Sequence, residues 1–164
     1  MSWKYNNKEV KSIADVPKSA IGFVYLITDS NGKRYVGKKQ FFSNRNAQVS
    51  KAVYDKAKSA GEKVKKTKDK KKSKKGAVSW KYKKNIIKET DWISYCGSSI
   101  PLKKAVKNGL KIEKEILQYC YNKKQLSYYE MKWQVCLELI ENPETTWNGC
   151  VAGKYYPRDL INKS

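Results

Sequence analysis

Residues 22–37 read GFVYLITDSNGKRYVG. Two runs rich in aromatic and β-branched residues, FVYLIT and RYVG, flank the polar stretch DSNG, the pattern of a β-hairpin. Asn31 and Gly32 tolerate the positive φ that tight hairpin turns demand. A three-residue loop, Ser30-Asn31-Gly32 with glycine in the left-handed position, pairs Asp29 with Lys33, Ile27 with Tyr35 and Tyr25 with Gly37. Under that register Phe23, Tyr25, Ile27 and Tyr35 share one face, and Val24, Leu26 and Val36 share the other. A two-residue loop would separate the tyrosines, because a one-residue slip reverses every side chain. The aliphatic face suits a core. The aromatic face carries two hydroxyls, and Gly37 leaves room beside Tyr25 for a ligand to approach. Tyrosine is common in strands, so packing alone is the competing account of the pair.

Outward from the hairpin, residues 1–20 are polar and weakly patterned and are expected to wrap an edge of the fold. Residues 41–60 are expected to be helical, with Ala47, Val49, Ala52, Val53 and Ala57 spread along them. From about 61 to 84 the run KVKKTKDKKKSKKG has almost nothing to bury, so this basic insert is expected to be flexible. The stretch SSIPLKKAVKNG predicts a short helix opened by Ser98 or Ser99, with Pro101 in its first turn and Gly109 at its end. KIEKEILQYC suits a third strand. QLSYYEMKWQVCLELIEN is the strongest helix of the chain, and NPETTWNGCVAGKYY returns as a loop. The expected fold is α/β: a small, mainly antiparallel three-stranded sheet flanked by helices. The 164 residues suit one domain, 1–164, interrupted by the Lys-rich insertion.

Lysine and arginine number 36 against 15 acids, a net charge of +21. Such a chain is expected to meet a polyanion, nucleic acid first of all. A membrane surface fits less well, because no segment combines a sustained apolar face with the basic residues. No apolar run approaches the ~20 residues of a spanning helix, and MSWKYNNKEV lacks the apolar core of a signal peptide. A cytoplasmic location is expected. Cys96, Cys120, Cys136 and Cys150 are far apart and show no C-x-x-C spacing, which favours reduced, mostly buried thiols over a zinc site. Histidine is absent. Any general base must then be a carboxylate, a lysine, a tyrosine or a metal-bound hydroxide.

The late helix carries one anomaly. Leu126, Trp133, Leu137 and Ile140 fall on one face, and helical spacing puts Glu130 on the same stripe. A glutamate there must be paired, protonated or bound to a cation. A lysine ion pair is one account. A metal ligand at a cleft is the other, and a lone carboxylate suits a hard ion such as Mg²⁺ that keeps several waters.

In order, these features resemble the GIY-YIG nuclease family. FVY at Phe23–Tyr25 stands where the family has its first motif, with Phe23 in place of the usual glycine, and YVG at Tyr35–Gly37 stands for the second. Arg45 follows at the spacing of the family arginine on the first helix. Glu130 matches the metal-binding glutamate, Asn148 in TWNGC the closing asparagine, and CGSSIPLKKAVKNG the small helix of phage homing members. The resemblance spans roughly residues 20 to 150. It implies a metal-dependent endonuclease that hydrolyses DNA phosphodiester bonds, of homing or phage-encoded type, with one Mg²⁺ (or Mn²⁺) per active site. It also implies the roles. Glu130 holds the ion, Tyr25 orients or deprotonates the attacking water, and Tyr35 lies beside it on the phosphate. Arg45 neutralises the phosphate charge, Lys38 assists, and Asn148 stabilises the local structure or binds backbone. The implied partner is double-stranded DNA, in the host cytoplasm if the protein is phage-encoded. A second copy or partner is needed for a double-strand break. Lys63, Lys65, Lys66, Lys68, Lys70, Lys71, Lys72, Lys74 and Lys75 are expected to grip the phosphate backbone. The alternative is a non-catalytic basic nucleic-acid-binding protein on the same scaffold.

Overall fold

The computed structural model describes residues 2–69 and 78–159. Two three-residue strands, β1 (Trp3–Tyr5) and β2 (Lys8–Val10), precede the hairpin strands β3 (Gly22–Asp29) and β4 (Arg34–Gln40). There follow β5 (Phe42–Val49), α1 (Lys51–Ser59), β6 (Val64–Lys68) and β7 (Trp80–Glu89), then α2 (Ile100–Lys107), β8 (Ile112–Cys120) and α3 (Lys123–Cys136). By their contacts these elements form two units, Met1–Phe41 with Asp91–Ser164, and Phe42–Thr90.

The hairpin has the three-residue loop and the register expected of it. Tyr25 pairs with Gly37, Leu26 with Val36 and Ile27 with Tyr35. Asp29 builds the turn. Its carboxylate accepts from the N–H of Asn31 (2.8 Å) and of Lys33 (3.0 Å), while Gly32 takes φ +82°. Both faces of the hairpin are buried. Phe23, Tyr25, Ile27 and Tyr35 join Trp3, Phe41, Trp92 and Leu102, whereas Val24 and Val36 join Leu126 and Leu139. The aromatic face is therefore a core in its own right.

The sheet of this unit has five strands in the order β2-β1-β8-β3-β4, with β1 parallel to β8, not the three expected. The two extra strands come from residues 1–20. They are too short for periodicity to register, and the reason they form lies elsewhere in the chain. Trp3 is fully buried, its ring 5.0 Å from Phe23 and 5.1 Å from Tyr25, and its indole N–H donates to Trp92 O (2.7 Å). That buried ring supplies the apolar anchor that the short polar segment otherwise lacks, and strand pairing with β8 adds to it. α2 begins where its caps predict: Ser99 accepts from Leu102 N–H, and Pro101 lies in the first turn. α3 is shorter than expected. It ends at Cys136, Glu138 takes φ +50°, and Leu139 and Ile140 bury beyond the helix.

In the second unit β5, β7 and β6 form an antiparallel sheet in that order. The helix expected over 41–60 is only half right. Its first part is β5, and α1 starts after Ser50, whose hydroxyl accepts from Val53 N–H (3.3 Å). α1 packs on one face of the sheet, with Ala57 buried and the Tyr54 ring 5.0 Å from that of Tyr82. The basic insert also differs from expectation where it is described. Lys65, Lys66 and Lys68 lie in β6, paired with β7, and the Lys66 ammonium sits 4.3 Å over the Trp80 ring. An aromatic partner strand supplies the apolar surface that the lysine run lacks. Lys70, Lys71, Lys72, Lys74 and Lys75 lie outside the described residues.

Candidate active site

β4 is the edge strand of the five-stranded sheet. Its free edge is covered by residues 146–148. Trp147 N–H and the Thr146 hydroxyl donate to Arg34 O at 2.7 and 3.1 Å. The buried Asn148 carboxamide then takes both backbone groups of Val36, accepting from its N–H and donating to its C=O, each at 2.8 Å. The amide is spent on the backbone of β4, between Tyr35 and Lys38.

Strand alternation sends Tyr35 and Lys38 to opposite faces of β4. On one face the Tyr35 hydroxyl lies 2.8 Å from Ser98 Oγ, just before α2. On the other, the Lys38 ammonium lies 2.9 Å from Glu130 Oε2 and 3.1 Å from Ser127 Oγ, both on α3. Glu130 occupies the stripe between buried Leu126 and buried Gln134, and its side chain keeps 19 % of its surface exposed. Tyr35, Lys38, Ser98, Ser127, Glu130 and Asn148 border one cleft of about 960 Å³, in which Glu130 is the one carboxylate among the described residues. The lysine ion pair, one of the two accounts posed from the sequence, is present, and Glu130 also borders the cleft.

Tyr25 differs from its neighbours. It is 1 % exposed and does not border the cleft. A Cβ at position 37 would lie 2.5 Å from the Tyr25 hydroxyl. The space that glycine leaves is filled by this phenol, not held open for a ligand. Burial pushes the Tyr25 phenol far above its ordinary range, and Tyr35, Tyr95 and a hydrogen bond to Tyr95 push the same way. In the protein alone Tyr25 keeps its proton, the opposite of what a base at neutral pH needs.

Arg45 lies on β5 in the second unit, not on a helix. It is exposed, opposite Ile86, and its Nε donates to Ser43 Oγ (3.2 Å). The first unit thus brings together Tyr35, Lys38, Glu130 and Asn148. It adds Ser98, Ser127 and Gln134, which the sequence did not single out. Gln134 was legible in principle, one helical turn after Glu130 on the same stripe. Its amide donates to Val36 O (3.4 Å) and accepts from Ala152 N–H (3.3 Å).

Among the described residues no three His, Cys, Asp or Glu side chains cluster as a metal cage. A hard ion that keeps most of its waters needs no such cage. One carboxylate on an open cleft, with room for water and a phosphate oxygen, suits it. The thiols are unpaired, and only Cys120 is buried, fewer than expected. No helix among the described residues is long and apolar enough to cross a membrane. A family model described as "Putative endonuclease segE, GIY-YIG domain" matches residues 3–156. No curated protein and no solved structure matches the chain.

Proposed function

The chain belongs to the GIY-YIG nuclease family, and from that premise we propose that it is a divalent-metal-dependent endonuclease that hydrolyses phosphodiester bonds of double-stranded DNA, of the phage or homing type. The observation that carries this reading is the cleft-edge Glu130 with Lys38, Ser127, Tyr35 and Ser98 around the same cavity. Glu130 would hold one Mg²⁺ or Mn²⁺, and the ion, when bound, supplies a polarised water and charge neutralisation on the phosphate.

The residues divide the remaining work. Lys38 neutralises the carboxylate in the protein alone and lies within reach of a phosphoryl oxygen once substrate enters. Tyr35, whose hydroxyl is hydrogen-bonded with Ser98 Oγ, borders the cleft, where it would meet a phosphoryl oxygen. Tyr25, kept neutral by burial and hydrogen-bonded to Tyr95, does not reach the cleft; it acts as a positioning residue packed against Tyr35 and Gly37, not as the base. Lys63, Lys65, Lys66 and Lys68 contribute phosphate contacts that carry no base information. One active site makes one nick per visit, so a double-strand break takes a second copy or a second visit.

Supercoiled plasmid tests this directly. Nicked DNA should accumulate with Mg²⁺ and not with EDTA, and Glu130→Gln should abolish the gain. Tight, metal-independent binding without any cleavage would instead establish the non-catalytic basic nucleic-acid-binding protein.

A further inference from the structure

The second unit carries most of the charge. Residues 42–90 hold seventeen lysines and arginines against four acids. Its sheet has two unlike faces. Pairing puts Val49, Ala47, Val64, Tyr82 and Lys84 on the side where α1 packs. The opposite side holds Asn44, Asn46 and Gln48 from β5, Lys83, Asn85 and Ile87 from β7, and Lys65 and Thr67 from β6. α1 does not cover this side. Asn44, Asn46, Gln48 and Lys65 are exposed, and Ile87 is 74 % exposed.

Four amides on one sheet face are unusual, since asparagine is depleted in strands. Among the described residues no side-chain hydrogen bond involves any of the four. A carboxamide offers a donor and an acceptor side by side, which matches adenine N6 and N7 in the major groove. Same-face side chains repeat every ~6.8 Å along a strand, close to two base-pair steps of ~3.4 Å. Adjacent strands lie about 4.8 Å apart, and the ~12 Å major groove admits a two-stranded ribbon such as β5 with β7. Lys65 and Lys83, at a directly opposed pair of positions, would meet the flanking phosphates, and Ile87 offers an apolar contact for a thymine methyl.

We propose that this open face docks in the major groove of duplex DNA, with Asn44, Asn46 and Gln48 reading base edges and Lys65 and Lys83 holding the backbone. The inference rests on the nuclease reading for its choice of partner, but its test does not need cleavage. A randomised duplex pool is selected for binding to the whole chain in EDTA. The wild type should enrich an adenine-containing motif. Asn44→Ala/Asn46→Ala/Gln48→Ala should lower the preference for that motif at least ~10-fold while bulk affinity and its salt dependence persist. Lys65→Ala/Lys83→Ala should weaken all sequences alike and flatten the log K against log salt slope by about 2. The same enriched motif from wild type and triple variant, or no enrichment by the wild type, overturns the proposal and leaves a solvated polar face. Plasmid nicking in Mg²⁺, read separately, reports on the nuclease reading alone.

Discussion

Asn148 and Val36, 112 residues apart, are joined by two 2.8 Å hydrogen bonds that close the free edge of the central sheet. Asn148→Ala would leave the buried Val36 N–H without its acceptor, while the Val36 C=O keeps only the 3.4 Å bond from Gln134. An unsatisfied N–H costs about 1–3 kcal/mol and the lost bond to the carbonyl about 1 kcal/mol, so a loss of about 2–3 kcal/mol is expected. For a chain of this size the melting temperature should fall by roughly 5–10 °C. Cleavage lost with no change in melting would show instead that the amide acts on substrate.

Glu130→Gln retains shape and removes charge. Cleavage is expected to drop at least ~10²-fold, the scale of one electrostatic catalytic group. The Lys38 pair it breaks is partly exposed, so stability should move by less than ~1 kcal/mol. DNA binding in EDTA should be retained. Undiminished nicking over a Mg²⁺ titration would remove Glu130 from the metal site.

Alkaline pH should unfold the protein through its buried phenols. Burial raises Tyr25, and it raises Tyr119 to about 12. Unfolded tyrosines titrate near ~10. Above that pH the unfolded chain releases protons that the folded chain retains, so stability falls as pH rises, across the window from about 10 to about 12 for Tyr119. Below it the melting temperature should be insensitive to these groups. Tyr119→Phe should also stabilise at neutral pH, by about 1 kcal/mol, because its hydroxyl is buried with no partner among the described residues. Melting curves of the variant at pH 7 and 11 check both signs.

Tyr25→Phe and Tyr35→Phe remove one hydroxyl each, from Tyr95 and from Ser98 respectively. Each should cost no more than ~1 kcal/mol of stability, while single-turnover cleavage falls sharply. Two fully active variants would return the pair to packing.

Arg45→Ala removes an exposed side chain with one hydrogen bond, so the melting temperature should be unchanged. The family resemblance assigns it the phosphate charge, and cleavage is expected to fall, with Arg45→Lys a poor substitute for a planar fork. Full activity of Arg45→Ala, with loss in Lys38→Ala, would assign that cation to Lys38.

The hairpin was legible because its determinants are local. Alternation over Gly22–Asp29, the Asn31-Gly32 turn and Asp29 as its acceptor act within a few residues, and they set the register that aligns Tyr25 with Gly37. The α2 caps were legible for the same reason. The stripe on α3 pointed to Glu130, and the ordered motifs pointed to the family. Three things were not legible. Only tertiary structure buries the aromatic face of the hairpin, because the rings that cover it, Trp3 and Trp92, arrive from distant segments. Only strand pairing makes Phe42–Val49 a strand and turns its spaced asparagines into one exposed face, since a partner strand outweighs weak local propensity. And only the closing of residues 146–148 onto β4 decides that Asn148 supports the site by holding backbone, because satisfying a buried N–H and C=O outweighs leaving the amide free for a ligand.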